Sequence, residues 1–393
     1  MLLGRFYDGL EIHREEKIVY GKFLVPHRVI STCGAAGGLR DDLACVYNHQ
    51  SCEPAGHVRS HHGIMMRRPL AYRAVIACRH SLPPEQCATL GTAANMRYAS
   101  IRHASFRELE VVAVCTGGVE ANAGRAGDPA VVYEKDGVFE RIAMHEPVEH
   151  GTINTLLFIN MELTPGAMVR TVMTATEAKT AALQELAVGS RYSDGLATGT
   201  GTDQIGVASR LGTGIPLTGA GKHCVLGELI GKTVREAVCE TLSLQNELTP
   251  ENQRSSVAHL QRFGVTAESL LEGVRAKLDG DDGELLAKNF IGIERDPFVA
   301  TAVAALVHLR DKLAWGILPA SCAPEIWAAY GAQVAAAVSG DYARMPVYRE
   351  ALAQEGYPFG NGGMVCLVAH AMALGFSEKW PELVIADEQE GGE

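Results

Sequence analysis

The chain has no CxxC pair and no HExxH stretch, and no apolar run is long enough to span a bilayer. The first absence removes redox motifs and the commonest zinc knuckles, and the second removes a large class of zinc hydrolases. The longest apolar stretch, GGMVCLVAHAMALGF, holds His370 and falls short of a membrane span. Positive charge is also scarce: 35 Lys and Arg stand against 46 Asp and Glu, a formal charge of -11. Nucleic acid wants a basic face and is excluded as the main partner. The N-terminus, MLLGRFYDGLEIHREE, meets charge too early for a secretory signal, so a cytoplasmic protein is expected.

The 393 residues are 47% apolar and 21% charged, as in a globular protein with room for two domains. The ten cysteines lie mostly inside apolar runs such as VVAVC and MVCLVA, and read as thiols of a reducing compartment.

Up to about residue 245 short apolar runs alternate with Gly-rich turns. KIVYGKFLV, HRVIST, LACVYN, RAVIAC, LEVVAVC, AVVYE, TINTLLFIN and QIGVAS read as strands, and helices are expected at 84–98, 165–187 and 224–243. After NELTPENQ the pattern turns helical, with Asp296 and Pro297 forming a helix start. The expected fold class is α/β: a layered mixed sheet in a domain spanning residues 1–247, followed by an all-helical region from 248 to 393. Several late helices are Ala-rich enough to pack together or against another subunit, so a homo-oligomer stays open.

Polar, Gly-punctuated segments carry the candidate chemistry. In CTGGVEANAGRAGDP a strand runs into a loop with Asn122, Arg125 and Asp128, whose amides can hold a polar ligand edge or simply make a connection. In EHGTINTLLFIN, Thr152 and Asn154 point to one side of a strand, with His150 just before the glycine. The Gly-Thr step there also permits a self-processing hydrolase cut before Thr152. In GLATGTGTDQIGVAS, glycines 199 and 201 and Asp203 form a tight loop with amides and a carboxylate at its exit. It is no dinucleotide fingerprint, because the glycines precede a strand.

TATEAKTAALQEL belongs to a helix that Thr164 and Pro165 open. Its apolar stripe, Met168, Val172, Ala175, Leu183 and Leu186, has Lys179 in the middle and Glu177 on the far side. An ammonium in such a stripe is paired, snorkelling or used. GAGKHC brings Lys222 and His223 to the start of a helix, where His223 is either a base or a solvated loop residue. GELIGKT lies inside that helix and is one residue short of a phosphate-binding loop, so it is rejected. Cys52, His57, His61 and His62 hold an HxxxH pair, but Pro-Ala-Gly at its start speaks against a metal helix, and no metal is expected.

Taken in order, GVEANAGRAGDP, GTIN, TATEAKTAALQEL, ATGTGTD and GKHCVLGELIG resemble the adenosylcobinamide amidohydrolase family of corrinoid salvage, over residues of about 28–245. The resemblance implies cleavage of the aminopropanol amide of adenosylcobinamide to adenosylcobyric acid. The corrinoid is then the substrate and no cofactor is needed. A corrinoid-binding protein without hydrolytic activity is the alternative. The chemistry assigns Lys179 as proton donor, Asp203 and then His223 as base, and Glu177 as a further catalytic candidate. Asn122, Arg125, Asp128, Thr152 and Asn154, with the amides at Gly199 and Gly201, are assigned to substrate and oxyanion. Lys179 and Glu177, two apart on a helix, cannot both face one small site.

Overall fold

The computed structural model describes residues 1–35, 37–53, 62–142 and 151–380. The chain divides into two compact units, Met1–Leu248 and Thr249–Glu393.

The first unit is built on two sheets. One has the order β1 (Leu2–Phe6), β2 (Leu10–Glu15), β3 (Ile18–Phe23), β6 (Cys45–Gln50), β7 (Cys87–Thr92), and only its β6/β7 pair is parallel. The other runs β5 (Gly38–Arg40), β4 (His27–Ser31), β15 (Gln204–Arg210), β13 (Asn154–Ile159), β9 (Leu109–Thr116), β8 (Ser100–Phe106), with β13 and β15 parallel. Two short ribbons stand apart: β10 (Ala123–Gly124) with β14 (Gly199–Thr200), and β11 (Val132–Lys135) with β12 (Val138–Arg141).

Alternation along the strands decides the layering. Val112, Val114, Leu156 and Phe158 face Leu10, Ile12, Val46 and Leu90 of the first sheet. Their neighbours Val111, Ala113, Leu157 and Ile159 face helices α3 (Pro165–Glu185) and α4 (Val225–Asn246) on the other side. After the short α1 (His62–Arg67), α2 (Pro69–Arg79) covers the outer face of the first sheet through Tyr72, Ile76 and Ala77. The order of layers is helix, sheet, sheet, helices, the α/β arrangement expected.

Two local expectations are corrected. RAVIAC is not a strand but the body of α2: Pro69 opens the helix, and Tyr72, Arg73, Ile76 and Ala77 are buried at helical spacing. The β-branched pair Val75-Ile76 gave a strand signal that the longer period overrides. Residues 84–98 are not one helix, because Cys87–Thr92 enters the sheet beside β6 with all six residues buried, between 3₁₀ turns at Pro84–Gln86 and Met96–Tyr98. A strand buried on both faces shows no alternation to read. The strands at the N-terminus, with β8 and β12, were likewise absent from the expected set.

The second unit is helical throughout its described residues: α5 (Pro250–Gln253), α6 (Ser256–Leu260), α7 (Ala267–Arg275), α8 (Gly280–Glu294), α9 (Pro297–Ala314), α10 (Ala323–Ser339), α11 (Met345–Glu355) and α12 (Asn361–Ser377). Asp296 caps α9 as its sequence requires, accepting from the Phe298 and Val299 amides. Trp327 is buried in the core of this unit with Leu367 and Met372, whereas Trp315 is exposed. Among the described residues no helix is long and apolar enough to cross a membrane.

Candidate active site

The Thr164 hydroxyl accepts from the Ala167 amide and starts α3 in the expected register. Met168, Ala175, Ala182 and Leu183 are buried, and Lys179 lies among them with a side chain 14% exposed. Its Nζ donates to Oδ2 of Asp203, whose side chain is equally enclosed. The ammonium in the apolar stripe is therefore paired.

Asp203 is held from several directions. Oδ1 accepts from the Ile153 amide at 2.8 Å and the Thr200 hydroxyl at 2.6 Å, and Oδ2 accepts from the Thr200 amide at 3.0 Å as well as from Lys179. The carboxylate thus folds its own loop and ties it to the entrance of β13. Gly199 makes this approach feasible: a Cβ there would collide with Asp203 Oδ2 and Lys179 Nζ. The Thr200 amide is spent on Asp203, whereas the Gly201 amide has no hydrogen bond among the described residues.

Beside the pair runs a string of short polar contacts. Thr152 Oγ1 lies 2.6 Å from Thr202 Oγ1, and the Thr202 hydroxyl donates to the Gly151 carbonyl at 2.9 Å. Asn122 donates to the same carbonyl at 3.0 Å and accepts from the Tyr192 hydroxyl at 2.8 Å. Tyr192 carries no sequence motif of its own, and no pattern in the chain singles it out. Arg125 donates to the Leu196 carbonyl at 3.1 Å, while Asp128 accepts from the Arg125 amide at 2.7 Å and the Ser190 hydroxyl at 2.6 Å. Burial works to raise the Asp128 carboxyl, but hydrogen bonds from Ser190, Ser193 and the Arg125 amide, with the Arg125 charge, hold it below its ordinary value.

Asn154 is spent between the two sheets. It donates to Asn48 Oδ1 at 2.8 Å and to the Gly91 carbonyl at 2.9 Å, and accepts from the Gln204 amide at 3.0 Å. Asn48 passes the chain on to Thr116 at 2.7 Å. Both donors of the Asn154 amide are thus engaged within the protein, as are those that Asn122 turns on Gly151 and, at 3.4 Å, on Thr202.

Glu177 and His223 fall elsewhere, and the expected catalytic set divides between two faces of α3. Glu177 accepts from Lys222 at 2.6 Å in an exposed pair, and with Arg170, Met173, His223 and Cys224 it lines a cavity of about 570 Å³ beside the start of α4. The reason is geometric, since two residues along a helix is a turn of about 200°. GELIGKT is inside α4, so it cannot cradle a phosphate as a loop. Of the histidine cluster, His57, His61 and the side chain of His62 lie outside the described residues, as does His150. Among the described residues no group of three His, Cys, Asp or Glu is placed to hold a metal.

The profile of the adenosylcobinamide amidohydrolase family matches residues 4–250. The chain belongs to this family. The match reaches further toward the N-terminus than the motifs alone and spans the two-sheet unit, including the Lys179–Asp203 pair. An uncharacterised protein of Methanocaldococcus jannaschii is 40% identical over 182 residues, covering 45% of this chain and 71% of that relative.

Proposed function

We propose that the protein hydrolyses the aminopropanol amide of adenosylcobinamide, adding water across the C–N bond to give adenosylcobyric acid and aminopropanol, in cytoplasmic corrinoid salvage. The observation that carries this reading is the enclosed ion pair between Lys179 of α3 and Asp203 of the ATGTGTD loop, in a chain that belongs to this amidohydrolase family.

An ammonium has three N–H groups, and Asp203 takes one of those on Lys179. The other two suit the substrate carbonyl as it gains negative charge, or the departing amine as it takes a proton. The Gly201 amide is a second donor for the oxyanion. Asp203 in its resting state is filled by four donors and works as an anchor. When Lys179 turns onto the substrate, Oδ2 loses a partner and can take the proton of the attacking water. Asn122, Asp128 and Asn154 support the site by fixing its loops, since their polar groups are turned onto protein partners, and Arg125 joins them through the Leu196 carbonyl. The acidic balance of the chain suits a ligand fringed with neutral amides, and no cofactor enters this scheme.

A second reading has its own observation. Thr152 follows Gly151 directly, two residues ahead of a central strand, with its hydroxyl in contact with Thr202. Cleavage before Thr152 would free an amine to serve as its base. The mass of the purified chain separates the two: one intact species supports direct hydrolysis, and two fragments meeting at 151/152 support self-processing. Incubation with adenosylcobinamide and measurement of free aminopropanol then tests the activity, and binding without release would leave a corrinoid carrier.

A further inference from the structure

Asn122 is buried beside the candidate site, and its partners decide which way its amide faces. Gly151 offers a carbonyl oxygen at 3.0 Å that can only accept, so the nitrogen of the Asn122 amide faces it. The amide oxygen is then turned the other way, toward the Tyr192 hydroxyl at 2.8 Å, which has to donate. Thr202 spends its single proton on the same Gly151 carbonyl at 2.9 Å, which leaves the Thr152 hydroxyl, 2.6 Å away, as donor to Thr202. The string of contacts has a direction, and on the Asn122 side it starts at Tyr192.

The phenol is built into its place. Its ring lies against Gly124, where a Cβ would come within 3.3 Å of Tyr192 Cδ2. The Arg191 amide donates to the Ala123 carbonyl at 2.9 Å, Arg191 Nε to the Glu120 carbonyl at 2.8 Å, and the Tyr192 amide to the Ser190 hydroxyl at 3.0 Å. Arg191 therefore fastens the segment on both sides of Asn122. Burial raises the phenol above its ordinary pKa and the Asp128 carboxylate raises it further, so the hydroxyl keeps its proton at neutral pH.

What Asn122 holds leads in turn to Asp203. The Gly151 carbonyl it grips stands two residues before the Ile153 amide, which donates to Asp203 Oδ1 at 2.8 Å. On the other side the Asn122 amide reaches Thr202 at 3.4 Å, next to Asp203 in the chain, and it lies against Gly201, where a Cβ would meet Oδ1 at 3.3 Å. Gly151 is itself confined, since a Cβ there would come 2.7 Å from the Gly118 carbonyl and 3.3 Å from Asn122 Cβ. One amide thus ties together the two segments that flank the carboxylate, and its oxygen takes its proton from the phenol.

We propose that Tyr192 is a positioning residue for the hydrolysis: its hydroxyl fixes which way the Asn122 amide faces, and through Gly151 and Thr202 this sets where the Asp203 carboxylate stands beside Lys179. The role rests on the amidohydrolase reading. Without the hydroxyl the Asn122 oxygen loses its donor, the amide is free to turn, and the two segments lose their shared tie. Misplacing a catalytic group by about 1 Å costs up to about 10²-fold in rate, so the effect falls on turnover before it falls on binding.

Tyr192→Phe tests it, removing the hydroxyl and keeping the ring against Gly124. Steady-state release of aminopropanol from adenosylcobinamide gives kcat and KM, and thermal unfolding reports on the fold. The variant is expected to lose about tenfold or more in kcat, with KM within about threefold of wild type and cooperative unfolding retained. A double-mutant cycle with Asn122→Ala locates the path: in that background Tyr192→Phe should cost less than about twofold more, because the amide it orients is gone. A kcat within twofold of wild type in Tyr192→Phe overturns the proposal and leaves the hydrolase reading intact. So does a tenfold rise in KM at full kcat, which would make the phenol a substrate contact, and so does a loss that multiplies in full with that of Asn122→Ala. A variant that no longer unfolds cooperatively also overturns it, assigning the hydroxyl to the fold. Wild-type protein that releases no aminopropanol refutes the hydrolase reading and this role together.

Discussion

Removing either partner of the Lys179–Asp203 pair should have unequal effects on stability. In Lys179→Met the carboxylate keeps the Ile153 amide, the Thr200 amide and the Thr200 hydroxyl, so no buried charge is left bare. The stem of the side chain still packs, and the expected cost is about 1–2 kcal/mol, at the lower end for a charged hydrogen bond. Asp203→Ala orphans those three donors and leaves an ammonium enclosed at 14% exposure without its counterion. Stranding a buried charge in this way costs about 3–5 kcal/mol. For a unit of this size that difference lowers the melting temperature of the aspartate variant by on the order of 10 °C. Thermal and urea unfolding of the two proteins supplies the comparison, alongside activity, where Lys179→Met should lose about 10²–10³-fold as a positioned donor disappears. Equal destabilisation by the two changes would refute the account of Asp203 as the anchor of the loop.

Gly199→Ala places a methyl against Asp203 and Lys179; the expected cost is about 1–3 kcal/mol of overpacking together with loss of turnover, read by melting temperature and aminopropanol release. His27 is fully buried, and desolvation pushes it down to about 4 from 6.5, against the hydrogen bond to the Val25 carbonyl. Its folded form stays neutral where the unfolded chain takes a proton, so its stability contribution is present above pH 6.5 and falls away by about 3 kcal/mol as pH drops toward 4. Urea midpoints across that range should flatten in His27→Gln relative to wild type. Glu177→Gln and His223→Gln act in the groove on the opposite face of α3; each should change stability by less than about 1 kcal/mol, as exposed groups do, and leave kcat within threefold. A large loss of kcat in either would move the chemistry into that groove.

How much of this was legible in the sequence varies with the kind of signal. The α3 cap at Thr164 and Pro165 and the lysine out of place in its apolar stripe are local patterns, and the helix they define was readable from the chain. That Asp203 faces Lys179 could be argued only from the chemistry the two would share, since 24 residues and a loop separate them. The strand Cys87–Thr92 was lost because burial on both faces erases alternation, and α2 because a run rich in β-branched residues outweighed its capping proline. The sequence assigned Asn122 and Asn154 to the substrate on residue type alone. Residue type names a capacity for hydrogen bonds, and only the fold shows that Gly151, Thr202, Asn48 and Gly91 use it up. The splitting of Glu177 from Lys179 was, by contrast, already implied by helical geometry.

The most direct measurement incubates wild type and Lys179→Met with adenosylcobinamide and follows both aminopropanol release and corrinoid binding. Wild type is expected to release one aminopropanol per corrinoid converted, while the variant binds with comparable affinity and releases essentially none. Near-normal turnover by the variant would remove the ion pair from the mechanism, and absence of turnover by wild type would remove the mechanism itself.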